Sequence, residues 1–224
     1  MSFFEAPPAS PEPERLSEPE WLGPAENVLP APFSLWLVLA HTDQLALAIH
    51  DGLAYTNGFA FTISLRRRRG RERPGDDPIH LWHTVRGGDI PPEALRLGIQ
   101  VSDGSKATVF DGHRWLRSAE RPDGPVLIQR GGSGGLHSWE LAFWVWPLPP
   151  PGPVAFVCEW PAEGVELTRA EIDASAILDA GANAKVLWPN DGAAGAGRKH
   201  LPGTDRLIAA PSAGYLRPGR AIGG

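Results

Sequence analysis

The feature that most restricts the fold is a hydrophobic period of two that recurs through the middle of the chain. In FAFTISL, Phe59, Phe61, Ile63 and Leu65 fall on one side and Ala60, Thr62 and Ser64 on the other, as in a half-buried strand. QLALAIH repeats the pattern with Leu45, Leu47 and Ile49. LRLGIQVSDGSKATVF reads as a hairpin: Leu95, Leu97, Ile99 and Val101 share a face, Asp103-Gly104 tolerates the positive φ of a tight turn, and KATVF returns. Asp51-Gly52 and Asn57-Gly58 flank the short LAYT and predict a tight meander there, and a further Asp111-Gly112 follows the hairpin. FSLWLVLA is apolar on both faces, as expected of a strand covered on both sides.

The most apolar stretch is SWELAFWVWPLPPPGPVAFVCEWP, residues 138–161. As one strand, it puts Trp139, Leu141, Phe143 and Val145 on one face and Glu140, Ala142, Trp144 and Trp146 on the other. After the proline loop, Val154, Phe156, Cys158 and Trp160 line one face of a return strand, opposite Ala155, Val157 and Glu159. Read as a hairpin, the pair is too apolar for a sheet with one wet side. One face packs on a second sheet, and the other is covered by the helix, a tail or a partner.

One helix interrupts the strands. TRAEIDASAILDAGANAKVLW opens with Thr168 and Glu171 at capping-box spacing. Ile172, Ala176, Ile177, Ala180, Ala184 and Leu187 then recur at helical intervals, which predicts a helix over 168–187. The expected architecture is mainly β: an antiparallel β-sandwich, or a partly open barrel, over residues 33–188 with this one C-terminal α-helix.

The flanks read differently. Residues 1–32 hold eight prolines and six Glu against Arg15, and residues 189–224 hold five basic residues against Asp191 and Asp205. Neither has a period to bury, so both are expected to be disordered tails, one acidic and one basic. The chain as a whole carries a net charge of −5. One cysteine, Cys158, leaves no internal disulfide and no cysteine-rich metal site. The proline-rich, acidic start is unlike a signal peptide, and no apolar run reaches the roughly 18 residues of a membrane span. A soluble cytoplasmic protein is expected.

Candidate chemistries are few. Glu140 and Glu159 beside tryptophans offer the two carboxylates of a carbohydrate hydrolase, provided that both enter one cleft. In HLWH, His80 and His83 have metal-ligand spacing only on a helix, and the segment follows Pro78. Ser133 in RGGSGG lacks a nucleophile elbow, and Cys158 sits mid-strand among apolar neighbours. RGGSGG and GAAGAGRK lack the phosphate-loop order. RRRRGRERPGDD carries six arginines, but acids follow at once and no nucleic-acid signature accompanies them. No metal, cofactor or nucleic acid is expected.

The segments LRLGIQVSDGSKAT and RGGSGG, followed by SWELAFWVWPLPPPGPVAFVCEWPAEGVELTRAEIDASAILDAGANAKVLWP, resemble a family of hypothetical proteins from high-GC actinobacteria. The resemblance spans most of residues 33–188. That family has no assigned activity, so the resemblance implies a bacterial, cytoplasmic origin and nothing about chemistry.

The reading that follows is a non-enzymatic binding module. It docks a protein partner or a second copy, with a small carbohydrate as another candidate, on Trp139, Trp144, Trp146 and Trp160, steered by Arg66, Arg67, Arg68 and Arg69. The alternatives are a carbohydrate-active hydrolase using Glu140 and Glu159, and phosphate or RNA binding through the arginine loop.

Overall fold

The alternation over residues 59–65 is realised as the central strand of an antiparallel sheet. A computed structural model of the protein describes residues 18–69, 90, 94–116, 118 and 120–188. The large sheet is built from β2 (Ala31–His41), β3 (Leu45–Ala54), β4 (Phe59–Arg67), β7 (Val126–Gly134) and β8 (Ser138–Trp146), in the spatial order β2-β3-β4-β8-β7. The small sheet uses β5 (Arg96–Gln100), β6 (Lys106–Thr108), β9 (Pro153–Trp160) and β10 (Val165–Asp173), in the order β10-β9-β5-β6. A two-stranded ribbon pairs β1 (Val28–Leu29) with β11 (Lys185–Val186). The helices are the single turn α1 (Gly112–Trp115) and α2 (Ser175–Asn183). The sheets stay separate, so the fold is a sandwich and not a closed barrel.

The core lies between the two sheets and is supplied by the inward sets read from the sequence. Leu47 and Ile49 meet Phe59, Phe61, Ile63 and Leu65 on the large sheet, and Leu97, Ile99, Val154 and Phe156 face them from the small one. Phe61 stacks on Phe143 at 5.4 Å and takes Phe156 edge-on at 5.2 Å, which ties the two sheets together. Each such side chain contributes about 1.5–3 kcal/mol on full burial. The turns at Asn57-Gly58 and Asp103-Gly104 form as expected, closed by Tyr55 N–H to Gly58 O and Val101 N–H to Ser105 O.

Four expectations are corrected. The Trp139–Trp160 stretch is not a hairpin: β8 pairs with β4 and β7, whereas β9 pairs with β5 and β10. Prolines 147, 149, 150, 151 and 153 carry no N–H for a ladder, so the loop carries the chain from one sheet to the other. The helix begins at Ser175, and Thr168 lies in β10 opposite Cys158. Thr168 to Asp173 fits either period, and pairing with β9 decides for strand. The N-cap is Ala174, which has no side chain to cap with, and Asp173 just before it accepts from Ser175 N–H at 2.7 Å.

Asp51-Gly52 is a bulge inside β3 and not a turn, with Asp51 at φ 55° and the register shifted between His50 and Leu53. Finally, the segment before residue 33 is not tail throughout. Trp21 is buried against Trp146, with ring centroids 6.3 Å apart, and β1 forms at Val28. Residues 1–17 and 189–224 lie outside the described residues, as do His80, His83 and most of the arginine-rich loop beyond Arg69.

Candidate functional site on the outer face of the large sheet

The outer face of the large sheet divides into a covered half and an open half. In the covered half, Val126, Ile128, Trp144 and Trp146 form a second small core under Trp21, Leu22, Tyr55 and Trp115. The open half runs along β2, β3 and the Arg66 end of β4, whereas Ala60 of β4 packs against the covered half. There Trp36 is 72% exposed and Val38 57% exposed, both outward-facing on the edge strand β2.

Strand register brings four strands together at this place. Trp36 stands opposite His50, Ala48 opposite Ser64, and Ser64 opposite Glu140. The indole of Trp36 leans on the His50 imidazole at 5.8 Å, with the planes 38° apart. His50 Nδ1 lies 2.9 Å from Asp51 Oδ2, and His50 Nε2 lies 2.5 Å from Ser64 Oγ. Ser64 Oγ in turn donates to Glu140 Oε2 at 2.5 Å, and Arg66 Nη2 donates to Glu140 Oε1. The positive φ of Asp51, permitted by the bulge, turns its carboxylate back toward its own neighbour.

These contacts set the charges. Partial burial pushes the Glu140 carboxyl up, but hydrogen bonds from Ser64 and Arg66 and the positive charges of Arg66 and His50 outweigh it. Glu140 is therefore held below the usual carboxylate range. Ser64 gives its one proton to Glu140, and its oxygen also faces His50 Nε2, while Nδ1 of the same ring faces Asp51. The His50 ring thus lies between the Asp51 carboxylate and the Ser64–Glu140 pair, with the Trp36 indole on its face.

Hydroxyl to Nε2 and Nδ1 to carboxylate is the order of an acyl-transfer triad. Here it does not serve that chemistry. The proton on Ser64 points to Glu140, and Ser64 is 7% exposed. Its strand is paired on both sides, so the neighbouring N–H groups are held in ladders and leave no oxyanion hole. What remains is an oriented, charged surface beside an exposed aromatic ring.

The expected site residues scatter. Trp139, Trp144, Trp146 and Trp160 are all buried by the chain itself, so the tryptophan platform is core. Glu140 and Glu159 project from the outer faces of opposite sheets, with Glu159 paired to Arg96 at 2.7 Å, so they share no cleft. That removes the geometry of the two-carboxylate hydrolase. Of the arginines, only Arg66 joins the site. Arg67 points inward, pairs with Glu163 at 2.7 Å and lies 5.9 Å from the rings of both Trp139 and Trp160. Arg68 and Arg69 are exposed just beyond β4.

No group of three or more metal-ligating side chains occurs among the described residues. A cleft of about 320 Å³ beside the proline loop contains Asp103, Ser105, Arg121, Asp123 and Trp146. Arg121 there lies on Trp146 and pairs with Glu20, and Asp103 accepts from Ser105 N–H. Trp36, His50, Asp51 and Ser64 were not singled out by sequence reasoning. The available signal was that Trp36 and Val38 share their side of β2 with Pro32 and Ser34. In comparisons with family models, curated proteins and solved structures, nothing matched the chain.

Proposed function

We propose that the protein is a non-enzymatic binding module whose docking surface is the open half of the large sheet, with Trp36 as anchor. The observation that carries this is an indole 72% exposed on the edge strand, held against an ordered network of charged groups. A large aromatic ring left in water beside pre-oriented polar groups is the usual make-up of a binding hot spot. Arg68 and Arg69 stand exposed just beyond β4 at the end of the same sheet. Among the described residues no helix is long and apolar enough to cross a membrane. The proposed setting is the cytoplasm, where a lone thiol such as Cys158 stays reduced.

Retention on immobilised oligosaccharide and peptide panels tests the site. Wild-type retention that Trp36→Ala abolishes, with the melting temperature unchanged, supports it. Retention that is indifferent to Trp36→Ala overturns it.

A further inference from the structure

Around Trp36 acidic and basic groups stand side by side. Glu140 is paired with Arg66 and lies beside the His50 ring, and Asp51 uses one carboxylate oxygen on His50 while projecting into solvent. Apart from His50, Ser64 and Arg66, the outward side chains between Trp36 and β8 include the small Ala46, Ala48, Thr62 and Ala142, which leave space beside the indole. From these observations we infer that the ligand is a neutral oligosaccharide, an inference that rests on the reading of Trp36 as the docking anchor.

Elimination by chemistry leads to that class. A phosphate-bearing ligand meets Asp51 and Glu140, two acceptors that repel it. A cationic ligand meets the Arg66 guanidinium. A purely apolar protein face has to strip water from three ionised groups and gives them nothing in return. A sugar meets all of these conditions. Its C–H face lies on the indole, and its hydroxyls both donate to Asp51 and accept from Arg66, as ionised groups on both sides require. From β2 to β8 is three interstrand spacings, about 14 Å, which is longer than one sugar ring and suits a short chain of them. The groups are already oriented by one another, so little ordering is left for the ligand to impose.

Test probes are cellopentaose, xylopentaose, chitopentaose and mannopentaose, set beside a library of neutral and charged decapeptides and a dilution series of the protein itself. The readout is the Trp36 indole N–H resonance, with the Trp144 indole as an internal control for folding. The expected result is that at least one oligosaccharide shifts Trp36 and leaves Trp144 in place. Trp36→Ala weakens that binding at least about tenfold, and Trp36→Phe restores part of it. If only a peptide, or raised protein concentration, shifts Trp36, the saccharide inference fails and the docking site stands. If a saccharide binds with Trp36 unmoved, or no probe moves Trp36, both readings fail.

Discussion

Trp144→Ala and Trp36→Ala remove the same indole from two strands of one sheet and should have opposite consequences. Trp144 is wholly buried in the small outer core, with Tyr55 edge-on at 5.5 Å. Truncation of a buried Trp costs about 3–5 kcal/mol from lost transfer energy and the cavity left behind. One feature lowers that figure. The Trp144 indole N–H has no hydrogen-bond partner among the described residues, and deleting an unsatisfied buried donor returns about 1 kcal/mol or more. The low end, about 3 kcal/mol, is therefore expected. At about 2–4 °C per kcal/mol for a chain of this size, the melting temperature falls by roughly 6–12 °C. Trp144→Phe keeps most of the apolar area and drops the donor, so it should cost less than about 1.5 kcal/mol. Trp36→Ala, being exposed, should stay within about 0.5 kcal/mol of wild type. Urea denaturation of the four proteins, read by far-UV circular dichroism, provides the comparison. A loss under about 1 kcal/mol for Trp144→Ala, or an equal loss for the two alanine variants, would refute the division of this sheet face into core and site.

Other perturbations probe the remaining parts of the account. Glu140 is held below the usual carboxylate range in the fold. Its contribution is thus fully present above the unfolded value of about 4.3 and is lost as pH falls through the lower folded value. The urea midpoint of wild type should therefore fall more steeply on acidification in that window than that of Glu140→Gln, and parallel profiles would contradict the network. Arg67→Ala leaves Glu163 without its partner and opens the space between Trp139 and Trp160, so a loss of about 3 kcal/mol is expected, against under about 0.5 kcal/mol for Arg68→Ala. In Gly58→Ala the new methyl would sit 2.3 Å from the Val145 carbonyl oxygen. Because that obstacle is backbone, the strand pair must shift, and a loss above about 1 kcal/mol in the same denaturation assay is expected.

The sandwich was legible because inward sets such as Phe59, Phe61, Ile63 and Leu65 alternate cleanly, and one-sided alternation determines which face meets the core. Which strands share a sheet was not legible. Nothing local in residues 138–161 tells a hairpin from a crossover, and the crossover became visible only through the partners of β9. The burial of Trp144 and Trp146 depends on Trp21, more than a hundred positions away, in a segment whose composition reads as tail. The helix start misled because Thr168, Glu171 and Ile172 satisfy a capping pattern and a strand pattern equally, and propensity gave way to pairing. The site itself was dispersed. His50, Ser64 and Glu140 are 14 and 76 positions apart, and only register sets them side by side. Trp36 escaped notice because a strand apolar on both faces normally lies inside a sheet, whereas among the described residues β2 lies at an edge with Trp36 and Val38 exposed.

The central claim is that Trp36, and not the tryptophans of β8 and β9, is presented to a ligand. Hydroxyl-radical footprinting read by mass spectrometry measures this for each tryptophan in one experiment on the unmodified protein. The account predicts rapid oxidation of Trp36, with Trp139, Trp144, Trp146 and Trp160 protected until the protein unfolds. Oxidation of Trp144 or Trp146 at the rate of Trp36 in the folded protein would contradict it and return the docking surface to the β8 strand.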